Sequence, residues 1–239
     1  MPVLSLVIPA YNEQARLPYT LSEIEAYVCR EQLDCEVLVV DNGSHDATSV
    51  VVQHAASRFP KLRLLRTDRR GKGLAVRTGV LAARGQVVIF ADADLSWSVT
   101  DLHRFVDLID PRRSPIVIGS REGYGARRIG EPVYRHVMGR VFNRVVQALA
   151  VPGIEDSQCG FKALSREAAE AIFRRQRIDG FGFDVEILYL ARRLGYPIRV
   201  VPLQWEHKEN SRVLPVRDTL FMLSDVLRVR LYGWRGRYA

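Results

Sequence analysis

Two aspartates separated by one residue follow an apolar run near the middle of the chain. The run is Gln86-Val87-Val88-Ile89-Phe90, and the next residues are Ala91-Asp92-Ala93-Asp94. On a strand, side chains at i and i+2 point to the same face, so Asp92 and Asp94 can bind one divalent cation and the diphosphate it carries. The motif therefore predicts a site for a metal-bound sugar nucleotide. An acidic loop that merely follows a core strand is the competing interpretation.

A lysine between two glycines forms a second candidate phosphate site. In Gly71-Lys72-Gly73 the glycines let the backbone approach a phosphate while the ammonium group neutralises it, although the same triplet would suit a flexible connection. The Walker A spacing is absent, which disfavours an ATPase. No Gly-rich dinucleotide fingerprint follows the first predicted strand, which disfavours a dinucleotide oxidoreductase.

The elements that must position these motifs alternate through the first half of the chain. Apolar runs predict strands over residues 4–9, 36–41, 62–66, 87–91 and 116–119, and helical spacing predicts helices over 17–33, 47–59 and 73–83. This alternation is typical of a parallel sheet with right-handed crossovers. We therefore expect an α/β fold with a Rossmann-like, mostly parallel sheet flanked by helices.

Polar motifs follow four of the predicted strands, at the edge where parallel sheets bind ligands. They are Ala10-Tyr11-Asn12-Glu13, Asp41-Asn42-Gly43-Ser44, Arg69-Arg70-Gly71-Lys72-Gly73 and Asp92-Ala93-Asp94. Four loops at one rim predict a pocket. The second motif also has the composition of a turn and helix N-cap, so by itself it says little about function.

The second half of the chain follows a different pattern. Helices are predicted over residues 134–149, 166–175 and 187–194, and a late strand over 198–205. No linker separates the halves, so we expect one domain over residues 1–211, made of residues 1–122 and 123–211. Residues 212–239 then form a basic, amphipathic tail.

Composition bounds the class of protein. The 239 residues, 47% hydrophobic and 26% charged, can bury one large core, and no apolar run is long enough to span a bilayer. The first residues read as a strand and not as a signal peptide, which predicts a cytoplasmic protein. Three cysteines without metal-binding spacing are expected to be reduced thiols. The net charge of +8 favours an anionic partner, but no nucleic-acid-binding motif is present.

Taken in order, the motifs resemble the family 2 inverting glycosyltransferases of GT-A fold, and among them the polyprenyl- and dolichyl-phosphate sugar synthases. The matching strings are Val7-Ile8-Pro9-Ala10-Tyr11-Asn12-Glu13, Val39-Val40-Asp41-Asn42-Gly43-Ser44, Gly71-Lys72-Gly73, Ala91-Asp92-Ala93-Asp94, Gly119-Ser120-Arg121 and Asp156-Ser157-Gln158-Cys159-Gly160-Phe161-Lys162. The resemblance covers about residues 3 to 211 and implies one catalytic domain over 1–211, with a nucleotide-sugar half (1–122) and an acceptor-side half (123–211). The last string and Phe183-Asp184-Val185-Glu186 look more like the dolichyl-phosphate glucosyltransferase branch than the mannosyl branch.

The resemblance implies transfer of a hexose, with inversion, from a nucleotide diphosphate sugar to a polyprenyl phosphate. The favoured donor is a UDP-sugar of the UDP-glucose type, and the expected cofactor is Mg²⁺ or Mn²⁺ held by Asp94 and Asp92. The residues expected to bind the nucleotide sugar are Pro9, Ala10, Tyr11, Glu13, Asp41, Lys72, Asp92, Ala93 and Asp94.

Arginines are the candidates for the acceptor phosphate, because a guanidinium group binds phosphate bidentately. They are Arg121 and Arg135, with Arg128 as a weaker candidate. The predicted catalytic residues are Asp92, Asp94, Arg121, Arg135 and Asp184. Asp184 and Glu186 are each interpreted as a base, as a ligand of a sugar hydroxyl, or as a residue that caps the following helix.

The chain departs from the family pattern at three points. Asn42 stands where relatives carry a second aspartate, so the base and ribose contacts would depend on Asp41. Ser96 stands where mannosyl-type members carry a metal-binding glutamine, so a water or the serine hydroxyl would complete the coordination. Many relatives also carry transmembrane helices, and this sequence has none.

Apolar and basic residues mix over residues 214–234, as in a helix that lies at a membrane surface. A C-terminal helix packed on the core is the alternative. The expected partners are thus the sugar donor, the polyprenyl phosphate, the inner face of a membrane, and a small integral membrane protein that replaces the helices of relatives. Nucleic acid is not expected, and the sequence does not indicate an oligomeric state.

Three alternative functions remain open from the sequence. The first is a GDP-mannose-dependent polyprenyl-phosphate mannosyltransferase. The second is a soluble transferase acting on a saccharide hydroxyl, which would need a carboxylate base. The third is a nucleotide-sugar-binding module without catalysis, against which the presence of both Asp92 and Asp94 counts.

Overall fold

A computed structural model describes residues 2–208 and 215–238, apart from the side chains of residues 135, 215–218 and 220. The strands are β1 (Leu4–Ala10), β2 (Cys35–Asp41), β3 (Leu62–Arg66), β4 (Val87–Ala91), β5 (Ile116–Ser120), β6 (Arg127–Ile129), β7 (Phe161–Ser165), β8 (Ile198–Pro202) and β9 (Gln204–Glu206). The helices are α1 (Leu17–Arg30), α2 (Thr48–Ala56), α3 (Lys72–Ala82), α4 (Asp101–Leu108), α5 (Val133–Leu149), α6 (Arg166–Phe173), α7 (Phe183–Arg193) and α8 (Pro215–Trp234).

Seven strands form one sheet in the order β3-β2-β1-β4-β7-β5-β8. Only β7 among them is antiparallel to its neighbours, β4 and β5. The remaining pairs are parallel, which confirms the predicted mostly parallel α/β sheet. β2 lies on one side of β1 and β4 on the other, so the order of the strands reverses at β1. Such sheets bind ligands in the crevice at this point, which here lies at the carboxyl ends of β1 and β4.

The predicted late strand over residues 198–205 is instead two short strands. β8 pairs with β5 in the main sheet, whereas β9 pairs with β6 in a separate parallel pair. Pro202 ends β8, and a proline has no N–H to extend a ladder. The chain therefore changes partner at this point.

Helices cover both faces of the sheet. α1, α2 and α4 pack on one face, and α3, α5, α6, α7 and α8 pack on the other. Strands β2, β4, β5 and β7 are buried at every residue, as expected for strands covered on both sides. The result is a rigid base for the loops at the sheet's carboxyl edge.

The C-terminal helix packs on the core along one side. Val226 and Val229 of α8 are fully buried, and Tyr238 beyond the helix is 2% exposed. Contacts run from α8 to α5 and α7. The division of the chain at residue 211 stays a prediction, because residues 209–214 are outside the described part. None of the described helices has the length and apolar character needed to cross a bilayer.

Candidate active site

The two aspartates lie on a tight bend directly after β4. The backbone N–H of Ser96 donates to Oδ1 of Asp94 at 3.0 Å, and the indole N–H of Trp97 donates to the carbonyl of Asp92 at 2.9 Å. Leu95, between Asp94 and Ser96, has φ of 51°. Such a left-handed conformation is unfavourable for a leucine, and residues of this kind concentrate at functional sites. The bend holds both carboxylates at the rim of the sheet.

Lys72 begins α3 and contacts this motif. Its Nζ lies 2.6 Å from Oδ1 of Asp92. The glycines beside it have a packing role: a Cβ on Gly71 would lie 2.5 Å from the carbonyl oxygen of Asp179, and one on Gly73 would lie 2.5 Å from that of Ile178. The segment that contains these carbonyls therefore lies directly against the lysine loop.

Charge and burial shape the properties of these groups. Burial raises the pKa of Asp94, and the negative charge of Asp92 raises it further. Burial by itself would lower the pKa of Lys72, but the carboxylates of Asp92 and Asp184 outweigh it and raise that pKa. A cation beside Asp92 and Asp94 would relieve the repulsion between the two carboxylates.

The donor atoms at this motif fit a hard divalent cation. Asp92 and Asp94 provide carboxylate oxygens, the ligands that Mg²⁺ prefers. Within the described residues, no third His, Cys, Asp or Glu joins them in a metal-binding group. Mg²⁺ is commonly bound by one or two carboxylates, with waters and substrate phosphates as its other ligands. The pair therefore suits a cation that arrives with a diphosphate.

A cleft of about 800 Å³ opens beside the motif. Eight of the nine residues expected to bind the nucleotide sugar line it, namely Pro9, Ala10, Tyr11, Glu13, Lys72, Asp92, Ala93 and Asp94. The ninth, Asp41, does not. Sequence reasoning missed the segment 177–181 and part of α8, which form the opposite wall of this cleft, here called the donor cleft.

Asp41 holds a turn, and its neighbour reaches the cleft. The Asp41 carboxylate accepts hydrogen bonds from the N–H of Ser44 at 2.9 Å and from the hydroxyl of Ser49. Burial would raise its pKa, but these hydrogen bonds lower it. Asn42 lines the donor cleft, and its Oδ1 accepts the Gly71 N–H at 2.8 Å. Asn42, and not Asp41, therefore lines the donor cleft.

Arginines add positive charge to the donor cleft. The guanidinium carbon of Arg70 lies 4.2 Å from the centre of the Tyr11 ring. Nη2 of Arg16 lies 2.5 Å from Oε1 of Glu13, so these two side chains form an ion pair. Arg16 was not selected from the sequence. Its position three residues after Glu13, at the start of a helix, is the signal that could have identified it.

A second cleft of about 280 Å³, here called the acceptor cleft, shares Lys72, Asp92 and Asp94 with the first. Three more predicted residues line it: Arg121, Arg128 and Asp184. The side chain of the fourth, Arg135, lies outside the described part of the structure. The structure thus brings two of the predicted phosphate-binding arginines into one cleft with the paired carboxylates.

Arg121 is held by a buried carboxylate. Its Nε and Nη2 and its backbone N–H each donate to Asp156 at 2.8 Å. Burial would raise the pKa of Asp156, but the Arg121 guanidinium overcomes this effect and lowers that pKa to about 2. The guanidinium carbon of Arg121 also lies 5.4 Å from the centre of the Trp205 ring. Arg121 is therefore fixed in place before any ligand binds.

Arg128 also has acidic partners. It forms ion pairs with Glu122, at 2.6 Å, and with Glu131. Both arginines are thus already paired with carboxylates of the protein. A phosphate bound between them would contact guanidinium groups that also keep these acidic partners.

Asp184 lies at the start of α7 and pairs with a buried lysine. Its Oδ1 is 2.5 Å from Nζ of Lys162, and both side chains are almost completely buried. Burial raises the pKa of Asp184. The Lys162 ammonium group also donates to the carbonyl of Cys159 at 2.6 Å. The raised pKa would favour proton uptake, but Oδ1 is already bound to an ammonium group and the side chain is 3% exposed, so access to a substrate proton is restricted.

Glu186 anchors the wall of the donor cleft. Its carboxylate accepts the backbone N–H groups of Arg177 and Ile178, at 2.9 and 2.8 Å, and the hydroxyl of Tyr238 at 2.7 Å. It is fully buried and lines neither cleft. Glu186 thus binds the segment before α7 and the Tyr238 hydroxyl, and it does not cap the helix that follows, because it lies within α7 (Phe183–Arg193).

Comparison with known proteins identifies the class. The model of glycosyl transferase family 2 matches residues 5–173, and the chain belongs to this family. The dolichyl-phosphate beta-glucosyltransferase of Mus musculus is 38% identical over 249 residues, covering 98% of this chain and 77% of the relative. That of Dictyostelium discoideum is 36% identical, covering 95% and 73%. These matches confirm the resemblance seen in the motifs.

Solved structures agree on the fold. Glucosyl-3-phosphoglycerate synthase of Mycobacterium tuberculosis, in its complex with Mn²⁺ and UDP-glucose, has a TM-score of 0.69 and 21% identity to this chain. The match covers 99% of this chain and 79% of the synthase. The predicted GT-A architecture is therefore confirmed over the length of the chain.

Proposed function

We propose that this glycosyltransferase moves glucose from a UDP-glucose-type donor to a polyprenyl phosphate, with inversion and with Mg²⁺ or Mn²⁺ as cofactor. The observation that carries the proposal is the junction of the two clefts. Lys72, Asp92 and Asp94 line both, so a donor diphosphate on one side meets an arginine-lined space on the other. The similarity to dolichyl-phosphate beta-glucosyltransferases supports this donor and this acceptor.

On the donor side, the leaving nucleotide diphosphate needs its charge neutralised. Asp94 and Asp92 would hold a divalent cation, which would supply Lewis-acid stabilisation of that charge. Lys72 adds a positive charge next to Asp92 and faces the same space. Tyr11, Arg70 and Asn42 line the part of the donor cleft that lies toward β1 and β2, where we place the nucleoside.

On the acceptor side, the nucleophile is already charged. A phosphate monoester is an anion at neutral pH, so it needs no strong general base. It needs cationic groups that hold it next to another phosphate, and Arg121 and Arg128 are placed to do this. We retain Arg135 as a third phosphate ligand on the sequence pattern alone.

The alternative acceptor, a saccharide hydroxyl, requires a carboxylate that can take a proton. Asp184 is paired with Lys162, and Glu186 accepts three hydrogen bonds, so neither is suited to that role. This favours the phosphate acceptor. We assign Asp184 to the cleft wall, next to the sugar.

We also propose that the enzyme binds a phospholipid surface through α5 and α8. These helices pack together. Each carries an exposed apolar row, Val133, Val137 and Val141 on α5 and Leu227, Leu231 and Trp234 on α8. Exposed arginines accompany the rows, at Arg144, Arg230 and Arg235. Apolar and basic groups together favour an anionic membrane. The cytoplasmic side and a small integral membrane partner stay predictions.

A donor and acceptor panel tests the proposed function. Purified protein with Mg²⁺ or Mn²⁺ is incubated with UDP-glucose, other UDP-hexoses or GDP-mannose, each with a polyprenyl phosphate or a free saccharide. We expect a glycolipid from UDP-glucose and polyprenyl phosphate. A product from GDP-mannose alone would support the mannosyl alternative, and transfer to saccharide alone would support the hydroxyl acceptor. Metal-dependent nucleotide binding without any product would support a binding module.

A further inference from the structure

The loop between α5 and β7 is held at Asp156, Ser157 and Gly160. Asp156 is clamped by Arg121. The backbone N–H and the hydroxyl of Ser157 donate to Oδ1 of Asn143, at 3.2 and 2.9 Å. At the other end, Gly160 lies against Asp92: its carbonyl accepts the Asp92 N–H at 3.1 Å, and a Cβ built on it would overlap the Asp92 carboxylate. The loop is therefore a rigid bridge between the arginine and the paired carboxylates.

One polar group of this loop has no partner. Nε2 of Gln158 is buried, and among the described residues it has no hydrogen-bond partner. Gln158 lines the acceptor cleft together with Asp92, Asp94 and Arg121. Leaving a buried amide donor unpaired costs free energy, and such groups in native proteins call for an explanation. A ligand in the cleft that accepts a hydrogen bond would provide one.

The position of the amide limits what that ligand is. It lies on a loop that runs from the residue that clamps Arg121 to the glycine beneath Asp92. If the proposed function holds, the leaving diphosphate lies at Asp92 and Asp94, and the acceptor phosphate lies at Arg121. The hexose being transferred must then occupy the space between them. Its hydroxyl oxygens accept hydrogen bonds from amide donors.

We propose that Gln158 is a sugar-binding and specificity-determining residue, whose amide N–H donates to a hydroxyl oxygen of the transferred hexose. The proposal rests on the proposed function and adds the group that distinguishes one hexose from its epimers. A site built to bond a hydroxyl discriminates strongly against a sugar that lacks it in that position, because the buried donor is then left unpaired. The contacts of Asp156, Ser157 and Gly160 fix the loop that carries this amide.

Two variants and one control test the proposal. Gln158→Ala removes the amide, and Gln158→Glu keeps its shape but replaces the donor with a carboxylate. Gln53→Glu, on the exposed side of α2, makes the same charge change away from both clefts. Calorimetry with Mg²⁺ present measures the affinity for UDP and for UDP-glucose. Steady-state rates with polyprenyl phosphate compare UDP-glucose with UDP-galactose.

We expect both Gln158 variants to bind UDP as the wild type does and to bind UDP-glucose about 10-fold more weakly, a loss of about 1.4 kcal/mol. The preference for UDP-glucose over its epimer should also fall. Gln53→Glu should match the wild type in every measurement.

Several outcomes would overturn the assignment. Equal weakening of UDP and UDP-glucose would mean that Gln158 supports the nucleotide site. A rise only in the KM for polyprenyl phosphate would place its contact on the acceptor. Full activity of Gln158→Glu would exclude a donor role. If the wild type transfers glucose and both variants match it in UDP-glucose affinity and in epimer preference, only this proposal fails; if the wild type binds no nucleotide sugar, the proposed function fails with it.

Discussion

The ammonium nitrogen of Lys72 lies 2.6 Å from Oδ1 of Asp92. Lys72 begins the helix that follows β3, whereas Asp92 follows β4, on the other side of β1. The contact therefore joins loops from both sides of the crevice. It also marks the place where the donor and acceptor clefts meet, because both residues line both clefts.

Replacing Lys72 by methionine should impair use of the donor. The change removes a charge next to Asp92, and hydrogen bonds to charged groups contribute about 1.5–3 kcal/mol, so kcat/KM for the nucleotide sugar should fall roughly 10- to 100-fold. Steady-state kinetics measures it. Lys61→Met, at an exposed position before β3, is the control. An unchanged kcat/KM would remove Lys72 from the donor site.

Replacing Asp94 by asparagine should remove metal-dependent activity. The substitution takes one of two carboxylates from a hard cation, and we expect turnover to fall by about 1000-fold, or roughly 4 kcal/mol. Titration of Mn²⁺ in the presence of UDP should show that saturable binding is lost, while exposed Asp107→Asn on α4 leaves it intact. Near-normal turnover of the Asp94 variant at limiting metal would contradict the two-carboxylate site.

Replacing Asp156 by asparagine should destabilise the protein in a pH-dependent way. The folded-state pKa is lowered from 3.8 to about 2, so Asp156 contributes stability above pH 4 that is lost as the pH falls toward 2. That shift corresponds to about 2 kcal/mol at neutral pH. Urea unfolding of the wild type and the variant should show this difference at pH 7 and a smaller one at pH 3.

Exposed Asp68→Asn provides the comparison for this effect, and it should show no such trend. A stability difference that stays constant from pH 7 to pH 2.5 would mean that the Arg121 pair does not lower the Asp156 pKa in the folded protein.

Glutamates on the exposed row of α8 should weaken membrane binding. Leu231→Glu with Trp234→Glu removes two apolar groups, and we expect about 10-fold weaker partition onto anionic liposomes at low salt. Val50→Glu, at an exposed position on the outer side of α2, is the control. If the double variant binds liposomes as the wild type does, the membrane contact lies elsewhere; nucleotide binding should be unchanged.

The strands and the motifs at their ends could be predicted because both depend on local pattern. Buried strands read as apolar runs, and the chain places polar residues directly after them. Long-range contacts leave no such pattern. Gly71 packs on Asp179, more than 100 residues later in the chain. The part of α8 that lines the donor cleft is likewise more than 100 residues from the motifs after β1 to β4.

The ion pairs of Arg121 and Asp184 could not be predicted from the sequence either. Arg121 and Asp184 were chosen for their chemistry, but their partners Asp156 and Lys162 belong to a motif used only for the family resemblance. The pairing changes the interpretation of both residues: Arg121 is a preorganised cation, and Asp184 is a buried carboxylate already bound to an ammonium group. Only the fold brings these side chains together.

The anomeric configuration and identity of the product test the central claim most directly. The enzyme is incubated with UDP-α-glucose, Mg²⁺ and a short polyprenyl phosphate, and the glycolipid is analysed by NMR and mass spectrometry. We expect a β-linked glucosyl phosphate of the prenol, absent without the metal or with Asp94→Asn. An α-linked product, or glucose transferred to an acceptor other than a phosphate, would contradict it.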